Sequence, residues 1–286
     1  MNTHLNTTKN VLDEPLFTKE QCDTLFAAVL VHDDIYPNAT LPDKIHLNYT
    51  QDELKQCYRI CRQMWKQGVD RAELNKHIAK LMWNRPFSEE DKLTYHNIRA
   101  KIKHLRFAYV ACDERHRYPK RFHVMTAIMG GLQDAFKNNQ KYTIIGLAAI
   151  VRLCLSPVFY HFIEKEMDDF KPSTPESYRK YILSEIDFIR HHLAKEVVTS
   201  EEFHKVRIVI SRQVALYDNL KTLYPSDYHT SISQYISTIN GLMGSMHDKL
   251  ITEKFNKTRD YYKDAFEMPT EIRERLTNLT QKYPQI

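Results

Sequence analysis

Residues 95–123 read YHNIRAKIKHLRFAYVACDERHRYPKRFH, with eight Lys or Arg, four His and two acids. With His neutral the stretch carries +6, whereas the whole chain carries +5, so everything outside it nets −1. The positive charge is therefore local, the footprint of an electrostatic site rather than a solubility average. Its order also carries information. His96, Arg99, Lys103 and Arg106 stand at offsets 0, 3, 7 and 10. At roughly 100° per residue these four fall within about an 80° arc of one helix face. That is the spacing of an apolar seam, here occupied by cations. A repulsive stripe at a seam position implies a bound anion. Phosphate fits best, because Arg and Lys both satisfy its oxygens with charge-assisted bonds. Further along, His123 follows Tyr118-Pro119 just inside a predicted helix start, beside Lys120 and Arg121. Free N–H groups at such a start favour anions.

The elements that must position these groups are predicted to be helices. Six Gly in 286 residues, with 42% hydrophobic content, argue for helices over strands and turns. Thr18 with Gln21 and Thr50 with Glu53 form capping boxes, and Ser88 caps the helix that carries the stripe. The spacing predicts helices over 18–32, 50–68, 71–83, 88–112, 120–138, 175–197, 200–224 and 226–255, with a last one from Thr270. Residues 142–163, apolar nearly all round, are expected to form one continuous, most buried helix. Residues 1–16 read as a loose tail, 33–49 and 170–174 as connections, and no strand is expected.

Composition bounds the rest. The N-terminus has no apolar run, and the most apolar segment, 143–155, is too short to span a bilayer and carries Arg152. Arg152 is expected either paired in the core or reaching a phosphate. The five Cys include no CxxC; Cys57 and Cys61 stand at i, i+4, and buried reduced thiols are favoured over a metal pair. The expected setting is the cytoplasm, with no membrane partner and no cofactor.

The second half echoes the first. His96-x-x-Arg99 recurs as His204-x-x-Arg207, an offset of 108. Tyr118-Pro119-x-x-x-His123 recurs as Tyr224-Pro225-x-x-x-His229, an offset of 106, and Gly131-Leu132 recurs as Gly241-Leu242, an offset of 110. Three echoes in one order argue for duplication. The expected architecture is all-α: an N-terminal extension over 1–49 with an extra helix, one helical-bundle repeat over 50–170 and another over 171–286, related by a pseudo-two-fold axis.

These repeats resemble the CHAD family, the conserved-histidine α-helical domain. Its hallmark is two repeats opening with His, then Arg three residues on, then bases seven, eight and ten after the His. The first repeat, HNIRAKIKHLRFAY, supplies His96, Arg99, Lys103, His104 and Arg106. The second, HKVRIVISRQVALY, supplies His204, Arg207 and Arg212, with Ser211 and Val214 where bases are expected. The family's Leu-Gly…Asp pattern is echoed by Leu242-Met-Gly244 with His247-Asp248, and more weakly by Leu132-Gln133-Asp134. The resemblance covers roughly residues 50–255. It implies two four-helix units around a basic cavity that binds inorganic polyphosphate, in some members on polyphosphate granules. Some members also carry a triphosphate-hydrolysing β-barrel with an E-x-E-x-K strand. Glu164-Lys-Glu166-Met-Asp168 lacks that Lys, and non-catalytic binding is expected.

Two other readings stand beside this one. His32-Asp33 and His247-Asp248 could belong to an all-helical, metal-dependent phosphohydrolase with an H…HD…D ligand set. A helical nucleic-acid or protein adaptor would place the basic patch on a phosphate backbone. Aromatics are not interleaved on the basic face as stacking on single strands requires, which disfavours nucleic acid.

Overall fold

Helix starts follow the local capping chemistry. In the computed structural model, which describes residues 16–83 and 87–284, Thr18 and Gln21 close a capping box at the start of α1 (Lys19–Leu30). Thr50 and Glu53 do the same for α2 (Gln51–Gly68), and Asp70 caps α3 (Arg71–Met82). Ser88 and Asp91 open α4 (Glu89–Cys112), which presents the cationic stripe. Then come α5 (Lys120–Lys137), α6 (Lys141–Cys154) and α7 (Pro157–Asp168). Thr174, with Pro175 in the first turn, opens α8 (Pro175–Leu193). Thr199 and Glu202 box the start of α9 (Ser200–Leu223), which is followed by α10 (Asp227–Phe255) and α11 (Thr270–Lys282). The chain is all-α in class. The reading of residues 1–15 as a loose tail lies outside the described residues.

Three local expectations are corrected. The 142–163 segment is two helices, α6 and α7, bent 69° apart. Pro157 lacks an N–H and biases Ser156 toward an extended backbone, so the first helix ends before it. Nor is this segment the most buried: α6 buries only Ala148 and Val151, while α9 is buried over the whole run 213–220. The helix expected to reach Val197 ends at Leu193. Residues Val197–Thr199 instead form a short strand, β1, antiparallel to β2 (Ala265–Glu267), with Val198 opposite Phe266.

The two expected halves share one apolar cluster, running from Leu54, Tyr58 and Trp65 of α2 through Leu105 of α4 to Ile210, Ile236 and Leu279. α9 is its axis, touching α1, α2, α4, α8 and α10. Two seams lock the parts together. Residues 31–36 run across α10: Ser237 Oγ donates to the Val31 and Asp34 carbonyls (3.1 and 3.0 Å), Asn240 Nδ2 to the His32 carbonyl (3.0 Å), and Tyr36 N–H to Thr238 Oγ1 (2.9 Å). Gly241 lets the strand of chain lie that close, since a Cβ there would stand 2.1 Å from the Asp33 carbonyl oxygen. The second seam is at the 170–174 connection. Fully buried Asp113 accepts from Lys171 N–H (2.9 Å) and from Arg115 Nε (2.7 Å), and Ser173 N–H donates to the Cys112 carbonyl (2.8 Å).

Candidate anion site between α4 and α9

α4 and α9 lie against each other, joined at their buried sides by His104 Nε2 and Asn219 Oδ1 at 2.8 Å. On the open side, α4 contributes exposed His96 and half-buried Arg99, Lys103 and Arg106; α9 contributes half-buried His204 and Arg207. Their mutual influence shows that they share one site. Burial pushes the Lys103 amine well below its usual value, and the charges of Arg207, Arg99 and Arg106 push it further. Burial and then the neighbouring His247, Arg207, Lys103 and Arg106 hold His204 down to about 3. Arg106 is brought down to about 10, chiefly by burial, with Tyr118 opposing the shift.

None of Arg99, Lys103, Arg106 and Arg207 forms an ion pair with a carboxylate among the described residues. The Nε atoms of Arg99, Arg106 and Arg207, and Nδ1 of His204, are buried without a hydrogen-bond partner. Buried polar atoms are normally satisfied, so three orphaned guanidinium donors on one lining, with the His204 ring beside them, call for acceptors from outside the chain. An ion with several oxygens meets that demand.

Two glycines make room for the guanidinium groups. Arg99 lies over Gly130 of α5, where a Cβ would stand 3.0 Å from its terminal nitrogen. Arg207 lies over Gly244 of α10 in the same way, at 3.2 Å. Each glycine precedes an Asp by four residues, Asp134 and Asp248. With Asp33 from the 31–36 segment, these two carboxylates oppose the lowering of the Arg207 value by burial. Lys137 holds Asp248 at 3.1 Å. The site therefore has a cationic floor and an acidic rim.

The structure brings His96, Arg99, Lys103, Arg106, His204 and Arg207 together. His123 joins them at one end, stacked on Tyr118 at 4.4 Å with its Nδ1 3.4 Å from Arg106. Other candidates are placed elsewhere. His104 is in the buried joint to Asn219. Arg212 is neutralised by Glu185, with Nε to Oε2 at 2.9 Å, and donates to Tyr118 Oη at 2.8 Å. Lys120 and Arg121 are exposed at the start of α5, with Arg121 5.7 Å from the Phe162 ring. The free N–H groups of that helix start are already taken, since those of Arg121 and Phe122 donate to Glu166 at 2.8 and 3.0 Å. His229 is buried, donating through Nδ1 to the Tyr224 carbonyl at 2.7 Å. Arg152 is neither in the core nor at the cationic floor; it is exposed on α6.

Sequence reasoning met Asp134, Gly244 and Asp248 only in the Leu-Gly…Asp echo, and Asp33 with Asp248 only as metal-ligand candidates, and missed Gly130 and the place of all five beside the arginines. Gly130-x-x-x-Asp134 and Gly244-x-x-x-Asp248 repeat at one offset of 114 and could have been found. Of the echoed pair Gly131 and Gly241, Gly241 serves the 31–36 seam and Gly131 faces Leu147. The two His-Asp dipeptides share a neighbour, since Asp33 and Asp248 both act on Arg207, and His247 stacks on His204 at 4.5 Å. Yet no group of three or more His, Cys, Asp or Glu among the described residues is placed to hold a metal ion. Cys57 and Cys61 are free and buried, and the Cys61 thiol donates to Asn219 at 3.1 Å. Comparison with protein-family models, curated proteins and solved structures finds no match for this chain.

Proposed function

We propose that this chain is a divergent CHAD-type module that binds inorganic polyphosphate, without hydrolysing it, in the groove between α4 and α9. The observation that carries the reading is the set of Arg99, Lys103, Arg106 and Arg207, gathered from two helices with no carboxylate partner and with buried, orphaned guanidinium nitrogens. A flexible polyanion satisfies them with successive oxygens. The module acts in the cytoplasm, on free polyphosphate and on polyphosphate granules. The parallel between Arg99 over Gly130 and Arg207 over Gly244 supports descent of the two halves from one duplicated unit.

The test is titration of the full chain with polyphosphate of one length across a salt series, with RNA as competitor and orthophosphate release followed over time. By analogy with flexible single strands, at about 0.7 per neutralised phosphate, four cations give a slope of log affinity on log salt near −3. An affinity independent of salt would overturn the reading, as would steady orthophosphate release. Displacement by RNA at equal phosphate concentration would transfer the site to nucleic acid.

A further inference from the structure

The outer face of α6 and α7 is apolar, and none of the described residues covers it. Tyr142, Gly146, Ala149, Ile150 and Leu153 form one stripe on α6, with Tyr142 88% and Leu153 54% exposed. On α7, Val158 (65% exposed), Phe159 and Phe162 continue it. Both helices pack their inner sides on α5, so both outer faces point away from the core as a shallow V. Charge sorts around this face in one sign. From residue 135 to residue 163 there is no acid. Lys141, Arg152 and Lys165 are exposed and unpaired among the described residues, and Arg121 reaches over the Phe162 ring. The carboxylates that follow are committed: Glu164 to Lys66 at 2.5 Å, Glu166 to the start of α5, and Asp168 to Arg62.

We infer that the α6–α7 face docks on an anionic lipid surface. Apolar side chains ringed by unpaired Lys and Arg are the pattern of helices that lie in a membrane interface, their apolar face in the acyl boundary and their cations at the headgroups. Among the described residues no single helix is long and apolar enough to cross a membrane; the pair reaches that length and composition only together, across its 69° bend, which suits lying on a bilayer better than spanning it. The expectation of no membrane partner rests on span length and on Arg152 within the apolar segment, and surface docking is limited by neither. A second copy of the chain fits worse. A two-fold contact through this patch would set the Arg121, Arg152 and Lys165 of one copy against a face whose charges are all of the same sign. The inference also accounts for Arg121, a cation of the basic stretch that reaches over Phe162.

Flotation of the full chain with vesicles of phosphatidylcholine, alone and with about 30% phosphatidylserine, tests this. The chain is expected to float with the anionic vesicles only, and less so as salt rises. Phe159→Ser with Phe162→Ser should lower vesicle partition by about tenfold or more. Arg121→Glu with Arg152→Glu should do the same. The Phe pair should leave polyphosphate affinity intact, which shows that the variant is folded and separates this inference from the groove. The groove variant Arg99→Ala with Arg106→Ala should keep vesicle binding. No flotation, equal flotation on neutral vesicles, indifference to the Phe pair, or loss through the groove variant alone would each overturn the inference. A dimer seen by sedimentation without lipid, abolished by the Phe pair and accompanied by no flotation, would assign the face to a second copy.

Discussion

Lys103 sits where Arg99, Arg106 and Arg207 all oppose its charge, in a half-buried position that already disfavours it. Its folded value lies below the unfolded one, so its cost to the fold is absent at high pH and grows as pH falls through 10.5 and then through the depressed value. A bound polyanion reverses this by favouring every protonated form. Free His96 and His123 lie below 6.5, and His204 near 3, so these rings are neutral at neutral pH in the free protein. Binding raises all of them, and affinity therefore strengthens as pH falls toward and below 6.5. Calorimetric titration near neutral pH, in buffers of different ionisation enthalpy, should show net proton uptake; zero uptake would put these groups outside the site. The arginines are expected to contribute unequally. Hydrogen bonds to a charged group are worth roughly 1.5–3 kcal/mol each, so Arg99→Ala with Arg106→Ala should cost several kcal/mol of binding, less the screening of a wet groove. Arg207→Ala with Arg212→Ala should cost visibly less, because Arg212 is spent on Glu185. Arg212→Ala alone should leave affinity nearly unchanged and lower thermal stability, by about 1–3 kcal/mol for the Glu185 left unpaired. Equal losses from the two double variants would show both helices contributing alike. The α4 side of this site was legible because one helix face repeats with a fixed period. The part that Asp33, Asp134 and Asp248 play was not, because they reach Arg207 from three other elements, and the Gly-x-x-x-Asp spacing shared by Asp134 and Asp248 does not by itself point to α9.

Among the elements, those with a capping box were the easiest to place from sequence. Thr18, Thr50 and Ser88 satisfy helix-start N–H groups within three residues, so the signal is local and survives any tertiary packing. The α6–α7 pair shows the opposite case. Its apolar residues are as frequent as in a core helix, but which of them are buried depends on α3 and α5 packing on one side only. Frequency without a polar face cannot reveal that, and the break at Pro157 was overlooked within an apolar run. The 31–36 seam gives this scale its own prediction. Gly241→Ala gains up to about 1 kcal/mol of helix propensity but drives a Cβ to 2.1 Å from the Asp33 carbonyl oxygen, in backbone whose flanking His32 and Asp34 carbonyls are held by Asn240 and Ser237. A net loss of about 1–3 kcal/mol is expected in urea unfolding. Gly146, with nothing within 4 Å of the corresponding Cβ, is the control: Gly146→Ala should stabilise by about 0.5–1 kcal/mol. A stable Gly241→Ala protein would mean that the seam opens at little cost.

At the scale of the whole molecule, the free protein carries a cluster of like charges that its ligand neutralises, so ligand binding should raise stability. At a hundredfold excess over the dissociation constant, mass action contributes about 2.7 kcal/mol. For a chain of this size that corresponds to roughly 5 °C in melting temperature. Polyphosphate should therefore raise the melting temperature, and orthophosphate at equal phosphorus should raise it far less; equal shifts would mean that single phosphates fill the groove independently. The helical class of the molecule was legible from scarce glycine and regular spacing. The closeness of the two expected halves was not, since it depends on Asp113, a side chain that reads as an ordinary loop acid until the fold closes around it. That residue pins the 170–174 connection to the end of α4, while His104 and Asn219 join α4 to α9 inside the core. Both walls of the groove are thus fixed to each other before any ligand arrives. Association should consequently be a one-step encounter: the observed rate should climb in proportion to polyphosphate concentration, with no plateau from a preceding rearrangement, and differences in affinity among variants should appear in how long the complex lasts.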